Sequence, residues 1–339
     1  MPYRKILRIL RRVAFFLVLI ALLLHISRIF ERKTLEGAWN YTLKVGGFAN
    51  EPRDSFQVLG FGSSHMYCTM NPLYIYEQTG VRSYVLATRQ QPVEATYYYV
   101  KEAFETQSPD VVILELYSYL FDKIPATEGI AHDSIDPFPA GLNKMQLISE
   151  MDTEDGKENY YLNMIKYHTR WKELQKSDFI DSYREETDPM HGFVFLTETA
   201  PNENTQLDYT SIAETPLDSE NLEYLRKTID LIKENGSEVL LLLAPYEIQD
   251  ESGCVKAVHR FAEEEHVALL DMNLCYQEIG LNNAKDFYDP RHLNVFGSEK
   301  ASLYLMEYLQ KHFSITERTV DDAAQWQEDL QEYHSQKAG

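Results

Sequence analysis

Five short apolar runs, FQVLGFG, SYVLAT, DVVILELY, EVLLLLAPY and VALLDM, are set along this chain with helical patterns between them. DVVILELY is continuous and β-branched, as a strand must be when both of its faces are covered. After the second run, Pro92 opens a helix, where its missing N–H costs nothing, and the pattern continues to about Thr106. Leu222, Leu225, Ile229 and Ile232 recur at three, four and three residues. They predict an amphipathic helix that begins near Asp218 or Ser219 and stops at Gly236. VKAVHRFAEEEH and residues 298–312 read as two more helices. Strand–helix alternation of this kind predicts an α/β chain: a three-layer α/β/α sandwich around a five-stranded parallel sheet.

Three segments fall outside that rhythm. Residues 118–218 are rich in Asp, Glu, Tyr and Asn, with YYLNMIKYHTRWKELQ as their one persuasive helix. An insertion of that length is expected to form a lid or a binding surface. Residues 31–54, with Gly46 and Gly47, read as a linker, and residues 314–339 as an acidic tail, helical in part. The main domain is then expected over 55–313.

Residues 13–27, VAFFLVLIALLLHIS, hold no formal charge. A helix crossing the hydrocarbon needs about 20 residues. Snorkelling of Arg12 and Arg28 brings Ile29 and Phe30 into such a span. Eight Lys or Arg against the single acid Glu31 fill positions 1–33. Five of them precede the run, which predicts a cytoplasmic N-terminus and an exported C-terminal part, anchored in the plasma membrane by residues 1–30. A cleaved signal peptide is the competing reading, but HISRIFERK offers no small-x-small cleavage site. The total charge is −21. Removing the +7 of the first 33 residues leaves the rest near −28, which excludes nucleic acid as an expected partner. Cys68, Cys254 and Cys275 are too few and too scattered for a disulfide framework or a zinc site.

Two loops carry the chemistry. In an open parallel sheet, ligands sit beyond the C-terminal ends of the strands, and Gly62-Ser63-Ser64-His65 falls at the end of the first run. A serine there either caps the following helix or attacks a substrate. YDPRHLNVFG places Asp289 three residues before His292, ahead of the last helix, which Asn294 is positioned to cap. A hydroxyl nucleophile needs a base, and the base needs a group that fixes its tautomer. This loop holds both.

FGSSH near the start and DPRHL near the end resemble the first and last blocks of the SGNH/GDSL hydrolase superfamily. With the anchor and the GSS turn, the chain is most similar to that superfamily's exported branch around DltD. The resemblance implies a nucleophile at Ser64, with Ser63 as the alternative, a base at His292 and its orienting carboxylate at Asp289. Ser63 stands where that family carries an acidic residue. The chain departs from the family in its middle blocks: ATRQQP lacks the glycine, and ELYSY lacks the asparagine, that normally bind the oxyanion. Gln91, Gln90 or Arg89 are the candidate substitutes, Gln91 first, with a helix cap as its competing role. His65 is placed to touch substrate, but one histidine without nearby ligands is a weak metal site. Tyr97, Tyr98 and Tyr99 read as packing, and so do His168 and Trp171.

The resemblance implies an extracytoplasmic serine esterase or O-acyltransferase acting on acyl esters of envelope polysaccharide or teichoic acid. No metal or organic cofactor is expected. Hydrolysis and transfer stay open. The alternative is a non-catalytic surface protein whose crevice holds an acylated carrier or partners a membrane acyltransferase. A flavodoxin-like phosphate site is weaker still, since GFGSSH lacks the lysine and spacing of a P-loop.

Overall fold

A computed structural model of the chain describes residues 2–180, 185–202, 211–248 and 252–338. Its centre is a five-stranded, all-parallel sheet formed by β1 (Val58–Gly62), β2 (Ser83–Ala87), β3 (Val111–Glu115), β4 (Glu238–Leu243) and β5 (Ala268–Asp271). The strand order is β2-β1-β3-β4-β5. Every residue of β1, β2 and β3 is buried, which is why these runs carry no polar alternation. Helices cover both faces, making the three-layer sandwich that the alternation predicts.

Local chemistry sets the helix ends. Asp218 accepts the N–H groups of Glu220 and Asn221 at 2.8 and 3.1 Å, starting the Ser219–Glu234 helix, and Gly236 leaves it at φ 84°. The helix after β2 spans Val93–Ala103, with Pro92 at its N-cap. At the other end of the chain, Asn294 accepts from Phe296 and Gly297 to start the Val295–His312 helix, slightly earlier than the sequence pattern indicates.

The expected linker is folded. Its helix Tyr41–Gly46 buries Tyr41, Leu43 and Val45, and Lys44 Nζ lies buried 3.2 Å from Asp188 and 2.6 Å from the Phe193 carbonyl. Residues 314–339 include the helix Ala323–Ala338, which docks through buried Trp326, Leu330 and Tyr333. In the insertion the expected single helix over YYLNMIKYHTRWKELQ is divided into Glu158–Tyr161, Asn163–Tyr167 and a 3₁₀ turn at His168–Lys172. Leu162, at φ −134°, makes the first break. His168 and Trp171 are exposed rather than packed, Trp171 by 64%. Two helices carried no clear sequence signal, Glu128–Ile135 and Leu142–Glu150. Residues 181–184 and 203–210 of the insertion lie outside the described residues.

Part of the insertion closes the sheet's edge. The Val85 N–H of edge strand β2 donates to the His191 carbonyl at 3.0 Å, so the edge is not left as a pairing template. The approach is close enough to require glycine next door. At Gly192, φ is 85° and an added Cβ would stand 1.8 Å from the Val85 carbonyl oxygen.

Among the described residues, one helix is long and apolar enough to cross a membrane, Tyr3–Phe30, with a mean hydropathy of 2.5 in its most apolar window. It belongs to an unbroken helix, Pro2–Phe30. At about 1.5 Å per residue this exceeds the roughly 30 Å hydrocarbon thickness, and its N-terminal turns carry Arg4, Lys5, Arg8, Arg11 and Arg12.

His191 clamps the C-terminal helix. Its Nε2 lies 3.0 Å from Asp329, its Nδ1 3.7 Å from Glu51, and its ring stacks on Trp326 with centroids 4.0 Å apart. Burial pushes the Glu51 carboxyl up to about 7; Asp329, Asp188 and Asp322 add to the rise and His191 opposes it. Between the ordinary glutamate value of about 4.3 and that raised value, the folded chain holds a proton the unfolded chain lacks. Stability therefore falls as pH rises through that window. Glu51→Gln is expected to stabilise the chain by about 2 kcal/mol at pH 8 and by little at pH 5. Urea unfolding at the two pH values checks this; an equal effect at both would assign the pH dependence elsewhere.

Candidate active site

The chain reverses its direction of travel across the sheet between β1 and β3, and open parallel sheets hold ligands at such a switch point. β1 ends there on Gly62 and β3 on Glu115. The Glu115 carboxylate is 1% exposed. It accepts the Ser63 N–H at 3.0 Å, the Ser63 hydroxyl at 2.7 Å and the Tyr117 N–H at 2.6 Å. Burial raises the Glu115 carboxyl above the usual carboxylate range, with the bonds from Ser63 and Tyr117 opposing the rise. Gly62 makes the approach feasible: at φ 152°, an added Cβ would stand 2.7 Å from the Glu115 Cβ.

Held this way, Ser63 caps the Ser64–Thr69 helix, its Oγ accepting the His65 N–H at 3.3 Å. Ser64 becomes the first helical residue. Its own N–H has no carbonyl within the helix to reach.

The second loop is a hairpin, β6 (Phe287–Asp289) antiparallel to β7 (His292–Leu293). Buried Phe287 and Leu293 seat it. Asp289 Oδ1 accepts the N–H groups of Arg291 at 2.7 Å and His292 at 2.9 Å, so the turn itself orients the carboxylate. His292 Nδ1 lies 2.9 Å from each Asp289 carboxylate oxygen, and Nε2 lies 2.9 Å from Ser64 Oγ. An ionised carboxylate only accepts, so Nδ1 carries the hydrogen and Nε2 faces the serine with its lone pair. Desolvation lifts the Asp289 carboxyl, but the bond and charge of His292 and two backbone N–H groups outweigh it and leave the group below its ordinary value. Asp289 therefore stays ionised.

The remaining sequence candidates separate. His65 is 1% exposed, its ring packed 4.0 Å from Tyr117, 4.6 Å from Tyr246 and 5.1 Å from His292 between centroids. Burial, with His292 and Arg291 nearby, pushes it well below the usual histidine range. It is a neutral ring packed against Tyr117, Tyr246 and His292. Gln91 is fully buried; its amide donates to Thr96 at 3.0 Å and its carbonyl accepts from Thr88 at 3.2 Å. That commits the amide oxygen and one of the two amide N–H donors to internal partners. Gln90 is exposed, at φ 46°. Arg89 pairs with Asp133 at 2.9 Å in a separate cleft.

Four residues escaped the sequence reading: Glu115, Tyr67, Tyr117 and Arg291. Tyr67 follows Ser64 by one helical turn, and its hydroxyl lies 3.1 Å from that of Tyr41. Desolvation holds the Tyr67 phenol well above the usual tyrosine value, so it keeps its proton. Arg291 donates to the Tyr117 hydroxyl at 2.5 Å. The pair stands at a cavity of about 490 Å³ walled by Gln91, Val93, Phe121 and Ile130 among others, within the range of small-molecule sites. The one available signal was Glu115 itself, a carboxylate at the end of an otherwise apolar strand.

No family model and no curated protein matches the sequence. Among solved structures, the chain is similar to a catalytic mutant of Axe2, an acetylxylan esterase from Geobacillus stearothermophilus. That match has 14% identity over 79% of this chain and 99% of that one, with a TM-score of 0.36. It is also similar to Est2A, an acetyl xylan esterase from the rumen bacterium Butyrivibrio proteoclasticus. There the identity is 9% over 77% of this chain and 65% of that one, with a TM-score of 0.32. Likenesses this weak carry no argument about activity, and the α/β architecture rests on the strands and register given above.

Removing the Glu115 carboxylate orphans two backbone N–H groups and a hydroxyl together. Glu115→Ala is expected to cost about 3 kcal/mol in urea unfolding, and Glu115→Gln, which keeps one acceptor oxygen, about 1 kcal/mol. Equal and small effects from both would deny Glu115 its part in holding the turn.

Proposed function

We propose that the chain is a serine esterase or O-acyltransferase, anchored in the plasma membrane by its N-terminal helix with the α/β domain outside. The observation that carries the chemistry is the run of contacts from Ser64 Oγ to His292 Nε2 and from His292 Nδ1 to Asp289, each at 2.9 Å. Ser64 attacks the ester carbonyl while its proton passes to His292 Nε2. The resulting imidazolium, held by Asp289, returns that proton to the departing alkoxide and leaves an acyl-enzyme. Water, or a hydroxyl of a polymer, then attacks the acyl carbonyl with His292 again taking the proton, and Ser64 is released.

In place of the glycine and asparagine that the resembled family uses, the oxyanion is bound by the Ser64 N–H and the Tyr67 hydroxyl. The support is position: Ser64 is the first residue of its helix, where the N–H has no partner within the helix, and Tyr67 stands one turn further on with its buried phenol protonated. Acyl esters of envelope polysaccharide or teichoic acid are the substrate class. This rests on the apolar helix and on the resemblance to the exported branch around DltD.

A fluorophosphonate probe is expected to label the native chain and to leave Ser64→Ala unlabelled. Failure to label folded native protein would favour the competing reading, a surface protein that holds an acylated carrier or a membrane acyltransferase. With a p-nitrophenyl ester, Tyr67→Phe is expected to lower kcat about a hundredfold at nearly unchanged KM; wild-type turnover by this variant would remove the phenol from the oxyanion site. Acyl products analysed with and without a polysaccharide acceptor separate transfer from hydrolysis.

A further inference from the structure

A second cluster of ligand-type side chains lies outside the proposed esterase site. Glu128, His132 and Asp155 bring an imidazole nitrogen and two carboxylate oxygens within 4.8 Å of one another. Glu128 and His132 are four residues apart on the Glu128–Ile135 helix and share a face. Asp155 comes from the loop after the Leu142–Glu150 helix. That loop is tied to the first helix's approach by the Ala126 N–H to the Asp152 carbonyl, 2.9 Å, and the Glu154 N–H to the Ala126 carbonyl, 3.0 Å.

His132 distinguishes this cluster from an ordinary acidic surface. It is 7% exposed. Its Nδ1 lies 3.0 and 3.1 Å from the Asp136 carboxylate oxygens, so Nδ1 carries the hydrogen and Nε2 the lone pair. Nε2 is buried without a hydrogen-bond partner among the described residues. Asp136 is fixed in turn by the Tyr167 hydroxyl, at 2.9 Å. A carboxylate orienting one nitrogen of a histidine whose other nitrogen is free for a ligand is the outer shell of a metal-binding imidazole.

We propose that Glu128, His132 and Asp155 bind a divalent transition-metal ion, with zinc the best match. One imidazole and two carboxylates suit zinc, whereas magnesium and calcium take oxygen ligands. Tetrahedral zinc at its usual bond lengths sets neighbouring ligand atoms about 3.3 Å apart, so the three side chains close inward by no more than about 1.5 Å. Lys166, which now pairs with Glu128, is 30% exposed and free to swing toward water. Asp155 keeps its bonds from Asn159, at 2.8 Å, and Tyr160. The ion clamps the Glu128–Ile135 helix to the 152–155 loop. Ile130 and Asp152, on those two segments, and Ala126 and Thr127, just ahead of the helix, wall the cavity beside Arg291. The inference does not depend on the proposed ester chemistry.

The test uses the full chain in detergent, stripped with a chelator and titrated with zinc chloride by calorimetry. One ion per chain at micromolar or tighter affinity, with a raised Tm, is expected. Asp155→Asn and Glu128→Gln, both at partly exposed positions, are expected to weaken binding at least tenfold, and His132→Gln to abolish it. Fluorophosphonate labelling of Ser64 in Asp155→Asn should be unchanged, which separates this site from the first. Absence of saturable zinc binding, or equal binding by Asp155→Asn, Glu128→Gln and wild type, overturns the proposal. Saturation by calcium or magnesium in place of zinc overturns the choice of ion.

Discussion

The arrangement around Ser64 depends on one buried carboxylate. Glu115 ends β3 where the sheet's switch point opens, and it takes two donors from Ser63 and one from Tyr117. A lone carboxylate in such a place is costly, as the raised value of its acid shows. It is tolerated because three donors converge on it and because Gly62 leaves room for it. In return the turn has a single geometry. Ser63 is spent on Glu115 and on the helix cap, so the outward hydroxyl is that of Ser64. The two serines, equivalent by residue type, are made different by what lies beneath them.

The hairpin that brings His292 is positioned independently and then joined to the same strand ends. Asp289 is fixed by the N–H groups of its own turn, so His292 and Asp289 form a prepared pair before they meet Ser64. Arg291, between them in sequence, reaches Tyr117 just beyond β3. The hairpin is therefore stitched to the element that also pins Ser63. His65 packs between Tyr117, Tyr246 and His292. Its burial as a neutral ring keeps a second positive charge away from His292.

The sheet was legible because strands buried on both faces leave unbroken apolar runs, and the Ser219–Glu234 helix because an amphipathic stripe and a capping Asp218 mark it. Ser64, His292 and Asp289 were legible as residue types, the serine after the first strand and the other two in the loop ahead of the last long helix. That Gln91 bonds Thr88 and Thr96 is not visible in the sequence. Glu115 was passed over for a related reason: its two bonds from Ser63 span 52 residues of chain. Residues 31–54 and 314–339 looked like spacer and tail because their buried side chains are few and scattered. Those side chains bind surfaces made elsewhere, Lys44 against Asp188 and Tyr333 against Asn71 and Glu299. The Glu128–Ile135 helix is invisible for the same reason, since its stability comes from packing and from a His–Asp pair rather than from propensity.

Folding of the expected linker changes how the apolar helix relates to the rest of the chain. The end of that helix is not followed by a free hinge. Arg170 donates to the carbonyls of Phe30 at 2.7 Å and Glu31 at 2.5 Å, and the Met164 N–H donates to Ser27 Oγ at 3.2 Å. The guanidinium satisfies carbonyls that a helix end otherwise leaves to water. The segment making these contacts belongs to the insertion, as do Phe121, Ile124 and Ile130 of the cavity wall. If the helix spans a bilayer as proposed, its outer end and the cavity are built from one continuous stretch of chain. The cavity is then held at a set height and tilt above the membrane rather than swinging on a tether. Such a mounting suits a substrate that is itself confined to the envelope surface, because the orientation a swinging domain would have to find on each encounter is already imposed.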